Sequence, residues 1–259
     1  MVRVILHGCN GAMGRVISEL AKEMDSVTIV AGIDLEDLGL YEYPVYQKLE
    51  DCPKGDVTVD FSSAKAVDSL LKACAVCKMP LVLCTTGLSK EQIEKVQETS
   101  KETAILRSAN MSLGINTLLR VLEDATKALL KAGFDVEIVE KHHNRKADAP
   151  SGTALALADT INEAADGQYH YTYGRVGRQQ RDKKEIGLHA VRCGTMAGEH
   201  EVIFAGPDEV ITFGHTAYSK VVFAKGSLEA ACFLAGKKPG LYTMGDVIGE
   251  GREAEETGA

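Results

Sequence analysis

Residues 142–154, with the sequence HHNRKADAPSGTA, bring together side chains that can transfer protons and bind an anion. The segment follows a strand-like run and precedes a helix-like one. An imidazole titrates near neutral pH, and His142 stands four residues before the charged side chain of Lys146. Because such a pair suits proton transfer in a reaction centre, we predict that His142 and Lys146 are catalytic.

The two adjacent histidines do not predict a metal site. Neighbouring side chains on an extended segment point to opposite faces, so His142 and His143 cannot easily share one ion. A zinc site would also need a third ligand, and the segment offers none that we can assign. We therefore expect no metal, although one histidine of the pair could be a packed structural residue.

The second half of the segment predicts an anion site at the start of a helix. Asp148 or Ser151 can cap a helix that begins near Gly152. The N–H groups of Gly152 and Thr153 would then lie in the first turn, where the intrahelical ladder leaves them without partners. With Lys146 nearby, these N–H groups suit a carboxylate or phosphate, and we expect a carboxylate. The alternative is a plainly capped helix without a ligand.

A glycine-rich turn predicts a nucleotide site near the start of the chain. In GCNGAMG, Gly8, Gly11 and Gly14 come directly after the first predicted strand and open the first predicted helix. Such glycines permit a tight turn, let the backbone approach a pyrophosphate, and pack the helix on the sheet. Asp34 ends the second predicted strand, 20 residues past Gly14 in the numbering, where a carboxylate can bind the adenosine ribose.

The same acid predicts the choice of cofactor. Asp34 would repel a 2′-phosphate, and Leu35 after it offers no guanidinium to bind one. We expect NADH to be accepted at least as well as NADPH, unless a basic residue such as Arg15 overrides Asp34. Two further strand ends, CTTG at residues 84–87 and SANMS at residues 108–112, place small and hydroxyl side chains where ligands of open α/β sheets bind.

The elements that must position these groups fall into two patterns. Up to residue 111, strands and helices alternate, which predicts a Rossmann-type parallel sheet with helices on both faces. Residues 112–221 contain a long helix, a strand, a further helix and then consecutive strands, with a hairpin at residues 206–208. This second pattern predicts an α+β domain with a mixed sheet. A helix follows, and residues 250–259 are polar and predicted to be loose.

Composition excludes several classes of protein. The net charge of −8 argues against nucleic-acid binding, and no apolar run approaches a membrane span. The N-terminal residues lack the features of a signal peptide, so we expect a cytoplasmic protein.

Seven cysteines, an odd count, are typical of reduced thiols. Cys74 and Cys77 have metal-site spacing but lie in an apolar helical run, where we expect them to pack in the core.

Taken together, the motifs are similar to those of the dihydrodipicolinate reductase family. The resemblance rests on GCNGAMGR, DFSS, CTTG, SANMSLGIN, EKHHNRKADAPSGTA and IGLHAVRCGTMAGEH, which cover most of the chain in the family's order. It implies NAD(P)H-dependent reduction of 4-hydroxy-tetrahydrodipicolinate to tetrahydrodipicolinate, in lysine and diaminopimelate biosynthesis. Hydride would pass from the nicotinamide to a conjugated C=C–C=N system, with loss of the 4-hydroxyl group as water.

The resemblance also implies roles for individual residues. His142 would donate or accept a proton, Lys146 would donate one, and His143, Gly152 and Thr153 would bind the substrate carboxylates. The cofactor would be surrounded by Gly8, Cys9, Asn10, Gly11, Ala12, Met13, Asp34, Cys84, Thr85, Thr86, Ser108, Ala109, Asn110 and Met111. Residues 222–259 would complete the first domain, and the second would build a homotetramer. Cys84 stands where many members have Gly, and its side chain would crowd the cofactor.

Two other functions fit parts of the pattern. A phosphorylating aldehyde dehydrogenase of similar plan would use Cys193 as its nucleophile, but only His189 is near in sequence to serve as its base. A regulator that senses NAD(H) without chemistry would need no proton donor beside an anion site. An assay of NADH oxidation would separate that regulator from an enzyme.

Overall fold

The computed structural model describes residues 1–249, and these form two compact units. The first unit comprises Met1–Leu113 together with the described residues from Lys220 onward, and the second comprises Gly114–Ser219. Residues 250–259 lie outside the described residues. They include the predicted loose, polar end of the chain and the last part of the segment 222–259 that was expected to complete the first domain.

Strands and helices follow one another along both units. The strands are β1 (Val2–His7), β2 (Val27–Ile33), β3 (Val45–Tyr46), β4 (Val57–Asp60), β5 (Leu81–Leu83), β6 (Ala104–Arg107), β7 (Asp135–His142), β8 (His170–Tyr173), β9 (Glu185–Arg192), β10 (Gly198–Ala205), β11 (Val210–Ala217) and β12 (Gly240–Tyr242). The helices are α1 (Ala12–Ala21), α2 (Ala64–Cys77), α3 (Lys90–Ser100), α4 (Leu113–Lys131), α5 (Gly152–Ala164) and α6 (Val221–Leu234).

The first unit is built on a parallel sheet in the order β12-β6-β5-β4-β1-β2-β3. Successive residues of β1 face opposite sides: Val4 and Leu6 pack with α1 and α6, whereas Ile5 packs with α2 and α3. Both faces of the sheet are therefore covered by helices. Because β1 lies between β2 and β4, the chain reverses direction across the sheet at β1, where ligands of open α/β sheets bind.

The second unit is built on a mixed sheet in the order β11-β10-β7-β9-β8. β10 runs antiparallel to β7 and β11, whereas β9 is parallel to β7 and β8. Apolar residues of one sheet face pack with α4 and α5 to form the core. The predicted fold class, a Rossmann-type domain and an α+β domain with a mixed sheet, is confirmed.

Several local predictions differ from the structure. The sequence pattern after the glycine turn predicts a helix over residues 13–24, but the observed α1 ends earlier, at Ala21. The short edge strands β3, β8 and β12 are not apparent from the sequence pattern. Cys74 packs in the core as expected, but the same expectation for Cys77 is wrong because that side chain is exposed at the end of α2. None of the helices in the described part of the chain is long and apolar enough to cross a membrane.

Candidate active site

The turn between β1 and α1 fits the close approach of a phosphate group. Gly8 has φ +80°, and a Cβ there would lie 2.7 Å from the Phe61 carbonyl oxygen. A Cβ on Gly14 would lie 2.3 Å from the carbonyl oxygens of Gly8 and Cys9. Gly11 is the N-cap of α1 and provides no side-chain cap, so backbone N–H groups at the helix start are available to an anion.

A cleft of about 760 Å³ opens beside this turn. Its walls include His7, Gly8, Asn10, Gly11, Asp34 and Lys48. The Asp34 carboxylate accepts hydrogen bonds from the N–H groups of Asn10 at 2.8 Å and Leu35 at 2.9 Å. The volume and the tight glycine turn suit a dinucleotide.

The other predicted cofactor residues differ in whether their side chains line the cleft. Cys9, Cys84 and Met111 are buried in the core of the first unit, so their side chains do not line the cleft. Burial raises the pKa of the Cys9 thiol to about 11, with Asp34 adding to the effect, and so keeps the thiol neutral. Thr85 buries a hydroxyl oxygen that has no partner among the described residues.

Strand-end residues after β5 and β6 adopt compact turns. Thr86 is exposed beyond Cys84, whose N–H donates to the Asp60 carbonyl group at the end of β4. In the loop after β6, the Ser108 hydroxyl group and the Asn110 backbone exchange hydrogen bonds, and the Asn110 side chain accepts from the Ser112 N–H. These loops follow neighbouring parallel strands and therefore share one edge of the sheet with the glycine turn. Ala12, Met13 and Ala109 were also predicted to contact the cofactor: the first two open α1, and Ala109 is exposed in the loop after β6.

In the second unit, His142 lies at the end of β7 and is 8% exposed. Its Nδ1 atom lies 2.6 Å from Oε2 of Glu140, two residues earlier on the same face of the strand. On the far side of the ring, Nε2 faces Gly198, where a Cβ would lie only 3.0 Å away. Glu140 thus holds one nitrogen of the imidazole, while the other shares no hydrogen bond with the described residues.

Glu140 is fully buried and accepts hydrogen bonds from three directions. Besides His142, the Ser151 N–H donates to Oε1 at 3.0 Å, and Arg192 donates to both carboxylate oxygens at 2.7 Å. Burial alone would raise the pKa of Glu140, but the bonds from Arg192, His142 and Ser151 outweigh it and hold the pKa below its usual value. Glu140 is therefore a carboxylate at neutral pH.

Of the two residues considered as the cap of the helix that starts next to His142, the structure shows Ser151 and not Asp148. Ser151 is the N-cap of α5, and its hydroxyl oxygen accepts from the Ala154 N–H at 3.1 Å. Asp148 instead pairs with Lys146 at 2.9 Å, and Lys146 lowers the pKa of Asp148. Gly152 opens the helix with open space around its Cα, where a Cβ would meet nothing within 4 Å. Thr153 follows it in the first turn.

His143 and His200 complete the histidine cluster of this unit. The His143 N–H donates to the Met196 carbonyl group, while its buried Nδ1 has no partner in the part of the chain that the structure describes. His200 is 4% exposed, lies edge-on to the His142 ring at 5.1 Å, and shares a hydrogen bond of 2.9 Å with Ser151. Among the described residues, no group of three His, Cys, Asp or Glu side chains could hold a metal ion.

Cys193, the nucleophile of the alternative oxidoreductase, is exposed just beyond β9. The base considered for it, His189, is bonded through Nε2 to Glu137 at 2.7 Å. The Cys193 N–H donates to the His142 carbonyl group. The structure therefore shows no bond between Cys193 and that base.

Some residues of the site were not singled out in the sequence. Glu140 could have been found, because a two-residue spacing on a strand places it on the face of His142. Arg192, His200 and Lys48 could not, since they are distant in sequence and reach their places through strand pairing and loop packing.

Comparison with known proteins identifies the family. Family models described as dihydrodipicolinate reductase, N-terminus and C-terminus, match residues 2–111 and 114–248. The 4-hydroxy-tetrahydrodipicolinate reductase of Caldanaerobacter subterraneus subsp. tengcongensis is 53% identical over 97% of this chain and all of its own length. That of Clostridium tetani is 49% identical over 94% of this chain and 96% of its own.

A solved structure agrees with these matches. The dipicolinate-bound dihydrodipicolinate reductase from Paenisporosarcina sp. TG-14 is 25% identical, with a TM-score of 0.78, covering 94% of this chain and 97% of that one. A C. glutamicum DAP dehydrogenase, at 15% identity and a TM-score of 0.57, shares the fold alone. The chain belongs to the dihydrodipicolinate reductase family of pyridine-nucleotide-dependent oxidoreductases.

Proposed function

We propose that this chain reduces 4-hydroxy-tetrahydrodipicolinate to tetrahydrodipicolinate, and that the strand end at His142 with the helix start at Gly152 is its substrate site. The relatives that match nearly the whole chain carry the name of this reaction. The observation that carries the assignment of the site is the joint position of His142 and the α5 cap, since Glu140 bonds to both His142 and Ser151. When bound, NAD(P)H supplies the hydride.

The second unit binds the substrate as a dicarboxylate. The helix start at Gly152 and Thr153 attracts negative charge, and Gly152 has no side chain to block the approach of a carboxylate. Lys146 lies within the same segment and is bonded to an Asp148 that is largely exposed, so a substrate carboxylate can take the place of Asp148. His143 contributes a buried nitrogen without a partner among the residues described. The dipicolinate bound by the Paenisporosarcina relative is itself a dicarboxylate, which supports this choice.

The proton comes from His142 or Lys146. Either cation can stabilise the negative charge that develops on the substrate as hydride arrives, and then supply the proton. A transfer from His142 would use Nε2, because Glu140 already engages Nδ1. The variants His142→Gln and Lys146→Ala distinguish the two candidate proton donors.

The first unit binds NADH at least as well as NADPH. Asp34 places a carboxylate in the cleft, and Leu35 beside it is apolar. Arg15, which could have overridden Asp34, donates its Nε–H to the Asn10 carbonyl group and does not line the cleft. Lys48 does line it, so we assign the binding of a 2′-phosphate to Lys48.

The test follows nucleotide absorbance on adding substrate freshly generated by the preceding aldolase. His142→Gln and Lys146→Ala should each lower kcat by roughly 10²- to 10⁴-fold, the usual worth of a positioned acid. The larger loss identifies the donor. Unchanged turnover in both variants would contradict the proposed site, and failure of the native protein to oxidise either nucleotide would contradict the proposed reaction.

The proposed assembly follows from the family resemblance. We propose a homotetramer, formed through the second unit, and a cytoplasmic protein. Sedimentation velocity at micromolar concentration measures the assembly, and a monomer there would contradict it.

A further inference from the structure

Glu140 holds a carboxylate at the point where three parts of the second unit meet. It lies on β7 beneath His142, Arg192 reaches it from β9, and the Ser151 N–H reaches it from the start of α5. A buried carboxylate without partners would be destabilising, but here both oxygens accept charge-assisted or backbone hydrogen bonds. The geometry is that of a fixed support rather than of a group that faces the solvent.

The position of this carboxylate determines which nitrogen of His142 carries a proton. Glu140 has no proton to donate, so the 2.6 Å bond requires the hydrogen to reside on Nδ1 of His142. In the neutral ring Nε2 is then the acceptor, and in the charged ring it is a donor. Because Glu140 engages Nδ1, Nε2 is the nitrogen that can exchange a proton with a substrate.

We propose that Glu140, held by Arg192, is the positioning residue of this enzyme: it fixes the tautomer and the orientation of His142 and ties the ring to the anion-binding start of α5. The inference rests on the proposed function of His142. Glu140 has no contact with substrate in this scheme and acts through His142 and the Ser151 N–H.

Arg192 holds the Glu140 carboxylate in place. Its two NH groups span both carboxylate oxygens, and one of them also donates to the Asp148 carbonyl group. This arrangement keeps Glu140 charged in a buried position and fixes the plane of the carboxylate. Lysine would supply the charge at Arg192 but not the planar pair of donors.

The first test measures the tautomer of His142 in the native protein. In ¹⁵N-labelled native protein, long-range proton–nitrogen spectra of His142 should show the Nδ1-protonated form when the ring is neutral, assigned by comparison with His142→Gln. A neutral ring protonated on Nε2 would overturn the proposal.

The second test replaces Glu140 by Gln. One carboxylate oxygen then becomes an NH₂ group. Oε1 accepts from both the Ser151 N–H and Arg192, whereas Oε2 accepts from Arg192 and from His142, which can change its tautomer. The amide nitrogen should therefore turn toward His142 and force its proton to Nε2, with the loss of one Arg192 bond. We expect kcat to fall by roughly 10²- to 10⁴-fold while KM changes less than about threefold, because His142 loses the tautomer needed for proton transfer. The spectra should show the Nε2-protonated ring.

The matched control is Glu137→Gln. Glu137 lies on the same strand and bonds to His189 on the other face, so this variant breaks an equivalent carboxylate–histidine pair away from the site. It should leave kcat within about twofold. If Glu140→Gln retains native kcat, the inference fails while the proposed function stands. The proposed function fails separately, if His142→Gln and Lys146→Ala are both fully active.

Discussion

Asp34 accepts a hydrogen bond of 2.8 Å from the N–H of Asn10, a residue of the glycine turn 24 positions earlier in the chain. The bond joins the end of β2 to the turn after β1, so the acid and the backbone of the glycine turn form one wall of the cleft. Asp34 therefore combines two roles: it braces the turn, and it places a negative charge where the adenosine ribose is expected.

Asp34→Asn should shift the cofactor preference toward NADPH. The substitution keeps the shape of the side chain but removes the charge that favours ribose hydroxyl donors and repels a 2′-phosphate. A hydrogen bond to a charged group contributes about 1.5–3 kcal/mol, so the ratio of the NADH and NADPH dissociation constants should change by about tenfold or more. Titration calorimetry with both nucleotides measures it. An equal loss of affinity for both would show that Asp34 only braces the turn.

Lys48→Ala should weaken NADPH binding about five- to tenfold and leave NADH binding within about twofold. Lys48 lines the cleft with Asp34, and Gln47 beside it donates to the Leu35 carbonyl group, which holds this loop against the ribose site. The effect should diminish as salt is raised, because it depends on charge. Lys101→Ala, at the far end of α3, is the control. Equal loss for both nucleotides would remove the assignment.

Gly152→Pro should raise KM for the substrate with little change in kcat. Proline is tolerated at the first position of a helix, and Ser151 before it is already extended at ψ 151°, so the substitution mainly deletes one N–H donor. Gly152→Ala is the matched control, since a Cβ there meets nothing within 4 Å. Steady-state kinetics compares the two variants. A KM that rises equally in both would point to crowding and not to the lost donor.

His200 should make the protein less stable as the pH falls. Burial, with the nearby His142 next in importance, lowers the pKa of His200 to about 4 from its ordinary 6.5, and Glu140, His215 and Lys146 act on it more weakly. Between these values the unfolded chain binds more protons than the folded one. The contribution of His200 is therefore complete above about pH 6.5 and is lost as the pH falls toward 4, by up to about 3 kcal/mol.

The measurement is urea unfolding between pH 4.5 and 7. His200→Gln should show a shallower decline of unfolding free energy toward acid than the native protein does. His170→Gln, which changes an exposed histidine on β8, should keep the native decline. Parallel curves for the native protein and His200→Gln would contradict the prediction.

The sequence alone determines the local part of this architecture. Alternating apolar strands and amphipathic helices predict the parallel sheet, because each strand must bury both faces under helices. The turn at Gly8 to Gly14 is predictable because a tight turn between strand and helix excludes side chains, and a Cβ at either glycine would clash with the chain's own backbone. His142 and Lys146 stand out because their residue types and short spacing serve proton transfer.

Only the tertiary structure decides what lies between distant segments. The consecutive strands β9 and β10 were expected in one sheet, and the structure places them in one sheet. However, β7 lies between them, and no local sequence pattern predicts this strand order. This pairing brings Arg192 and His200 to either side of Glu140 and His142. Likewise, Asp148 and Ser151 are equally good caps by residue type, and the choice of Ser151 follows from the packing of α5 against the sheet. Which strands pair depends on interactions throughout the unit, and a single stretch of sequence does not determine them.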